Sequence, residues 1–122
     1  MDKAQALQTF WSSFDLPAYD VNSVPSTAQM PYITYEASTD SFDNQVSLNA
    51  SLWYRSSSWE EITKKSEEIA RSIVKMNPPT IEIDGGRMYI TKETPFSQRM
   101  GDEDRSIRRI VMMIDVEFMT ET

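Results

Sequence analysis

The chain contains no cysteine and no histidine among its 122 residues. Without cysteine there is no disulfide framework, no thiolate zinc site and no thiol nucleophile. Without histidine the commonest general base at neutral pH is missing, and any metal site would need oxygen ligands alone. No apolar stretch approaches the roughly 20 residues of a membrane span. The opening residues Asp2 and Lys3 lead into a polar-sided helix, not a basic and apolar leader. Cations are in the minority, 12 Lys and Arg against 19 Asp and Glu, for a net charge of −7. Sequence-independent DNA binding needs clustered cations that displace counterions, so this balance disfavours it. These absences predict a protein without membrane attachment, cofactor or metal, made in a cytoplasm.

What is present is mostly scaffold. A chain of this length is expected to form one domain, residues 1–122, burying about 65% of its unfolded surface. Asp2 can cap a first helix with Gln5 three residues on. Leu7, Phe10, Trp11 and Phe14 then share one helical face, which either packs on a sheet or meets a neighbouring subunit. Pro17 ends the helix, and residues 15–30, with two prolines and no periodicity, read as a long loop. Residues 31–37 read as a strand, and 40–44 as a hairpin loop.

In Gln45–Tyr54 every second residue is apolar (Val46, Leu48, Ala50, Leu52, Tyr54), the pattern of a strand with one face on a core. Ser58 and Glu61 have capping-box spacing. Trp59, Ile62, Ser66, Ile69 and Ile73 follow on one stripe of a central helix. On its outer face Glu60–Lys64, Glu61–Lys65 and Glu67–Arg71 are i,i+4 pairs in the favourable order. Asn77-Pro78-Pro79 stops the helix.

Residues 81–84 and 87–91 flank Gly85-Gly86, read as a two-residue hairpin turn. That turn sets Asp84 opposite Arg87, Ile83 opposite Met88 and Ile81 opposite Ile90. Residues 94–106 read as a second long polar loop. The acidic run Asp102-Glu103-Asp104 within it lacks the glycine and distal glutamate of a calcium-binding helix–loop–helix. Arg108–Met119 is the last strand, apolar enough on both sides to be central or covered. The expected fold is α+β in the order α-β-β-α-β-β-β, a mostly antiparallel twisted sheet with helices on one face.

Several phrases of this sequence resemble a known group. Pro31-Tyr-Ile-Thr-Tyr-Glu36, Leu52-Trp-Tyr-Arg-Ser56, Ser58-Trp-Glu-Glu-Ile62, Phe96-Ser-Gln-Arg-Met-Gly101, Ile107-Arg-Arg-Ile-Val111 and Val116-Glu-Phe118 are similar to small tail proteins of long-tailed bacteriophages and prophages of Gram-positive hosts. Among these the chain most resembles the tail-terminator, or tail-completion, class. The resemblance implies a virion structural protein of the tail neck, synthesised in the bacterial host cytoplasm. It implies a homo-oligomeric ring, usually of six subunits, that stops tube growth and joins tail to head. The implied partners are other copies of the chain, the major tail-tube protein and a head-completion or connector protein, with DNA passing through the lumen. No sequence-specific nucleic-acid contact, catalytic residue, metal or cofactor is expected. Phe10, Trp11, Phe96, Arg99 and Met100 are residue types enriched at interfaces and are the candidate contact residues. The alternatives are another head–tail connector component or, from a different class, a small acidic regulator that mimics DNA.

Overall fold

The computed structural model describes residues 1–37, 45–76 and 80–120. In chain order these form α1 (Lys3–Ser12), β1 (Ala18–Asp20), β2 (Tyr32–Tyr35), β3 (Gln45–Arg55), α2 (Glu60–Met76), β4 (Thr80–Ile83), β5 (Gly86–Met100) and β6 (Ile107–Thr120). The strands make one sheet in the order β1-β2-β3-β6-β5-β4. The class is α+β, as expected, with two helices among the described residues, and every pairing but β1–β2 is antiparallel. The expected loops at 40–44 and the helix stop at 77–79 lie outside the described residues.

α1 begins with the reciprocal cap that its sequence announces. Gln5 N donates to Asp2 Oδ1 at 2.8 Å and Asp2 N donates to Gln5 Oε1 at 2.9 Å. Beyond the helix, Asp15 turns the chain with a positive φ of 64°, a conformation that aspartate tolerates better than most residues. Ala6, Leu7, Phe10 and Trp11 are buried. α1 packs over both β1 and β4, the two outermost strands. Six flat strands would hold those edges about 24 Å apart, too far for a helix about 10 Å across to touch both. The sheet must therefore curl, and α1 spans the seam between its edges. α2 lies across β3, β5 and β6, burying Ile62, Ser66, Ile69 and Ile73.

Both helices feed a single core. The registers Leu48↔Ile114, Ala50↔Met112 and Leu52↔Ile110 set apolar residues side by side on the helix-bearing face. β6 sits between β3 and β5, as its two-sided apolar sequence predicts.

Four local expectations need correction. First, residues 15–30 are not all loop. Ala18–Asp20 pairs in parallel with β2, supported by Ile33 N donating to Pro17 O at 2.8 Å and Val21 N to Tyr35 O at 2.9 Å. The sheet is thus mixed and holds one strand more than predicted. Three residues are too few for alternation to be visible; only the long-range pairing defines β1. Second, 94–100 belongs to β5, and the connection to β6 shrinks to 101–106. Between Lys92↔Ile114 and Ser97↔Met112 the register slips, so that four residues of β5 stand opposite one of β6. This bulge, with Pro95 inside it, breaks the alternation that would have marked the strand.

Third, Ser58 starts α2 without a capping box. Its Oγ accepts from Glu60 N at 3.1 Å, while its own N–H donates to Ser56 Oγ at 3.1 Å, leaving Glu61 no reciprocal role there. On the outer face Lys64 pairs with Glu60 at 3.3 Å, but Lys65 turns to Glu68 at 2.9 Å. Among the described residues the Glu61–Lys65 and Glu67–Arg71 pairs do not form.

Fourth, the hairpin turn is centred on Asp84-Gly85, with Ile83↔Gly86, Glu82↔Arg87 and Ile81↔Met88 in register. Moving the turn by one residue leaves Ile81, Ile83, Met88 and Ile90 on the same face, so hydrophobic patterning could not separate the two registers. Gly85 has φ +80° and nothing stands within 4 Å of where a Cβ would lie. Gly85→Val should therefore cost about 1–2 kcal/mol through backbone strain alone. Gly85→Asn should recover most of that loss in thermal denaturation. An unchanged melting temperature for the valine variant would show that Gly85 does not carry the turn.

Candidate binding surface

The five candidate contact residues do not form one patch. Phe10 and Trp11 are 3% and 0% exposed; they pack into the chain's own core, edge to face with ring centroids 4.9 Å apart. Phe96 is partly buried against the core, with the Lys92 ammonium 5.8 Å from its ring centroid. Arg99 and Met100 are neighbours in β5 and so point to opposite faces of the sheet.

On the helix-bearing face, Arg99 reaches the start of α2. Its guanidinium lies 4.9 Å from the Trp59 ring centroid, and Nη2 donates to Thr63 Oγ1 at 3.3 Å. Arg108 also stacks on Trp59, at 5.2 Å, and donates through Nη2 to the Ser57 carbonyl at 2.7 Å. One indole thus lies within reach of two guanidinium groups and ties the outer end of the β5–β6 hairpin to α2. Below it, the 101–106 connection is braced by Asp104. Its Oδ1 accepts from Ser106 N at 2.8 Å and from Ser106 Oγ at 2.6 Å. Those bonds, with Arg55 at 3.9 Å, hold the carboxyl below its ordinary value.

Met100 points to the helix-free face, where the more organised site lies. There Trp53 stands directly opposite Arg109 in the β3–β6 register. The Arg109 guanidinium lies 4.8 Å from the Trp53 ring centroid, and its Nε donates to Ser51 Oγ at 3.0 Å. Trp53 Nε1 in turn donates to Thr34 Oγ1 at 2.9 Å. Beside this network is a hollow of about 400 Å³ whose lining includes Val21, Asn49, Met100, Arg109, Val111 and Met113.

Farther along the same face the sign of the charge reverses. The hydroxyl of Ser47 lies against the carboxylates of both Glu93 and Asp115. The face therefore runs from cationic and aromatic at Arg109 and Trp53 to anionic at Glu93 and Asp115.

Sequence reasoning passed over Trp53, Arg109, Ser51 and Thr34. The one local signal was an indole at an intervening, polar-side position of β3; the partnership with Arg109 depends on a register between distant strands. The chemistry available is recognition: a guanidinium fork for an anion, an aromatic face and an apolar wall. Among the described residues no three Asp or Glu side chains group as metal ligands, and no helix is long and apolar enough to cross a membrane. No known protein family's sequence profile matches the chain, and no curated protein matches it at a significant level.

Proposed function

We propose that the chain is a virion structural protein of a long-tailed phage or prophage of a Gram-positive host, a tail terminator acting through its surfaces and not as an enzyme. Copies close into a ring, of six subunits in the arrangement the resemblance implies, on the head-proximal end of the tail tube. The ring stops tube growth and presents its other side to the head connector. The observation that carries this reading is the set of tail-protein phrases in the sequence, above all Pro31–Glu36, Leu52–Ser56 and Phe96–Gly101.

The fold adds support. Among the described residues no strand pairs with β5 from Glu93 to Met100 on the side away from β6. The β1 edge, by contrast, is tended by α1, whose Gln8 Nε2 donates to the Ala18 carbonyl at 2.9 Å. Two unlike edges suit a head-to-tail contact, which closes into a ring when its rotation permits. A net charge of −7 would let DNA pass through the lumen without adhering. The outer face of α2 interleaves Glu60, Lys64, Glu68 and Arg71, which is unlike the one-sign surface a DNA mimic needs.

Deleting the gene from its phage should leave filled heads and separate tails, the tubes irregular in length. Joined, infectious particles with normal tails would end this reading. Native mass measurement of the protein, alone and with its tail-tube protein, should show a ring that the tube end templates.

A further inference from the structure

The helix-free face carries an arginine that the fold immobilises but does not neutralise. Arg109 is stacked on Trp53 and anchored through Nε to Ser51, and Trp53 is itself pinned by Thr34. Ser51 and Thr34 are 5% and 7% exposed, so two buried hydroxyls are committed to holding this pair in place. Among the described residues no carboxylate lies within 4.0 Å of Arg109. Arg99 and Arg108 also lack a carboxylate partner there, but both are spent in tying the hairpin to the start of α2. Of the three, Arg109 is the one that borders an open hollow. That hollow, of about 400 Å³, has Val21, Met100, Val111 and Met113 in its wall, a size suited to a few side chains.

We propose that this hollow is a docking groove for a short extended segment of a protein partner, one carboxylate flanked by apolar side chains. The free edge of the guanidinium takes the carboxylate in a bidentate pair. The arginine is already ordered, so pairing costs little further side-chain entropy. The apolar wall covers the neighbouring side chains of the segment. A nucleic-acid strand fits less well: it brings a charge at every nucleotide to a single arginine, with Glu36 also in the lining. The inference goes beyond the ring reading and does not depend on it.

The test is selection from a displayed library of random hexapeptides on the intact protein, with counter-selection on Arg109→Gln. Recovered peptides should share one Asp or Glu beside an apolar residue. Synthetic versions should quench Trp53 fluorescence and shift its indole N–H resonance. Replacing the peptide's acid by its amide should weaken binding about tenfold or more, as should Arg109→Gln. Arg109→Lys, which keeps the charge but loses the fork, should fall between. A melting temperature for each variant within a few degrees of the parent shows that folding is not the cause; Val111→Lys, which blocks the apolar wall and leaves Arg109 in place, serves if the Arg109 variants unfold. Failure to recover any peptide whose binding depends on Arg109 or Val111 would overturn the proposal. So would stronger binding of single-stranded oligothymidylate, or sedimentation showing that the groove is covered by a second copy of the chain.

Discussion

Trp11→Ala is expected to lower the unfolding free energy by about 3–5 kcal/mol and the melting temperature by roughly 10–20 °C. Trp11 is fully buried, and its ring packs on Phe10 and Phe14 at centroid distances of 4.9 and 6.1 Å. Removing it opens a cavity under the helix that spans both edges of the sheet, where the two sides cannot collapse inward without breaking strand pairing. Single domains hold only about 5–15 kcal/mol in total, so a loss on this scale should be plain in a urea titration. The same experiment separates two roles for the aromatic stripe. A residue kept for subunit contact would lose assembly and leave monomer stability intact; a core residue loses stability first. A Trp11→Ala monomer as stable as the parent would show that α1 does not pack as described.

Trp59→Ala should cost about 2–3 kcal/mol, combining lost apolar burial with two cation–π contacts worth roughly 0.5–1 kcal/mol each. Its more telling effect is local. Arg99 and Arg108 both stack on this indole, so its removal unhooks the end of the β5–β6 hairpin from α2. Backbone amide exchange at Ser97–Met100 should rise about tenfold or more, while β3 and the inner part of β6 change little. In the parent protein the same measurement should divide residues 94–106. Along the stretch paired with β6, Ser97–Met100, every second amide, the one facing β6, should exchange slowly. The amides facing the open edge and those of 101–106 should exchange rapidly. Uniformly fast exchange from 94 to 106 would return that whole stretch to loop.

These contrasts show what kind of structure a sequence displays. The Asp2–Gln5 cap was legible because both partners lie within one turn, and β3 because its alternation runs unbroken from Val46 to Tyr54. α2 was legible from its stripe, although its cap was misassigned: Ser56, outside the expected motif, takes the N–H of Ser58. The central position of β6 followed from its apolar residues on both sides. β1 and the outer half of β5 were hidden because their strand character comes from partners, Ile33 and Tyr35 for one and Val111 to Arg109 for the other. The candidate surface was hidden for the same reason. The helical stripe left two readings open for Phe10 and Trp11, packing on the sheet or meeting a subunit. They are buried in the chain's own core, and what no local pattern encodes is the curl of the sheet that seats them. Trp53 and Arg109 meet only because β3 and β6 pair in one particular register.

The position of β6 also has a kinetic consequence. Before it is in place the strands are two separate pieces, β1–β2–β3 and β4–β5, because each borders β6 and neither borders the other. The latest strand in chain order is the one that unites them. It meets β5 through a short hairpin, but its pairings with β3 run from Arg55↔Ile107 to Gln45↔Glu117, more than fifty residues apart in the chain. Such non-local closure is slow relative to helix formation. α1, which needs both β1 and β4 beneath it, is the first element in chain order and the last to find its complete seat. During that wait its buried stripe of Leu7, Phe10 and Trp11 faces water, the condition under which chains stick to one another. Refolding yield should therefore fall steeply as protein concentration rises, even where the finished molecule stays soluble.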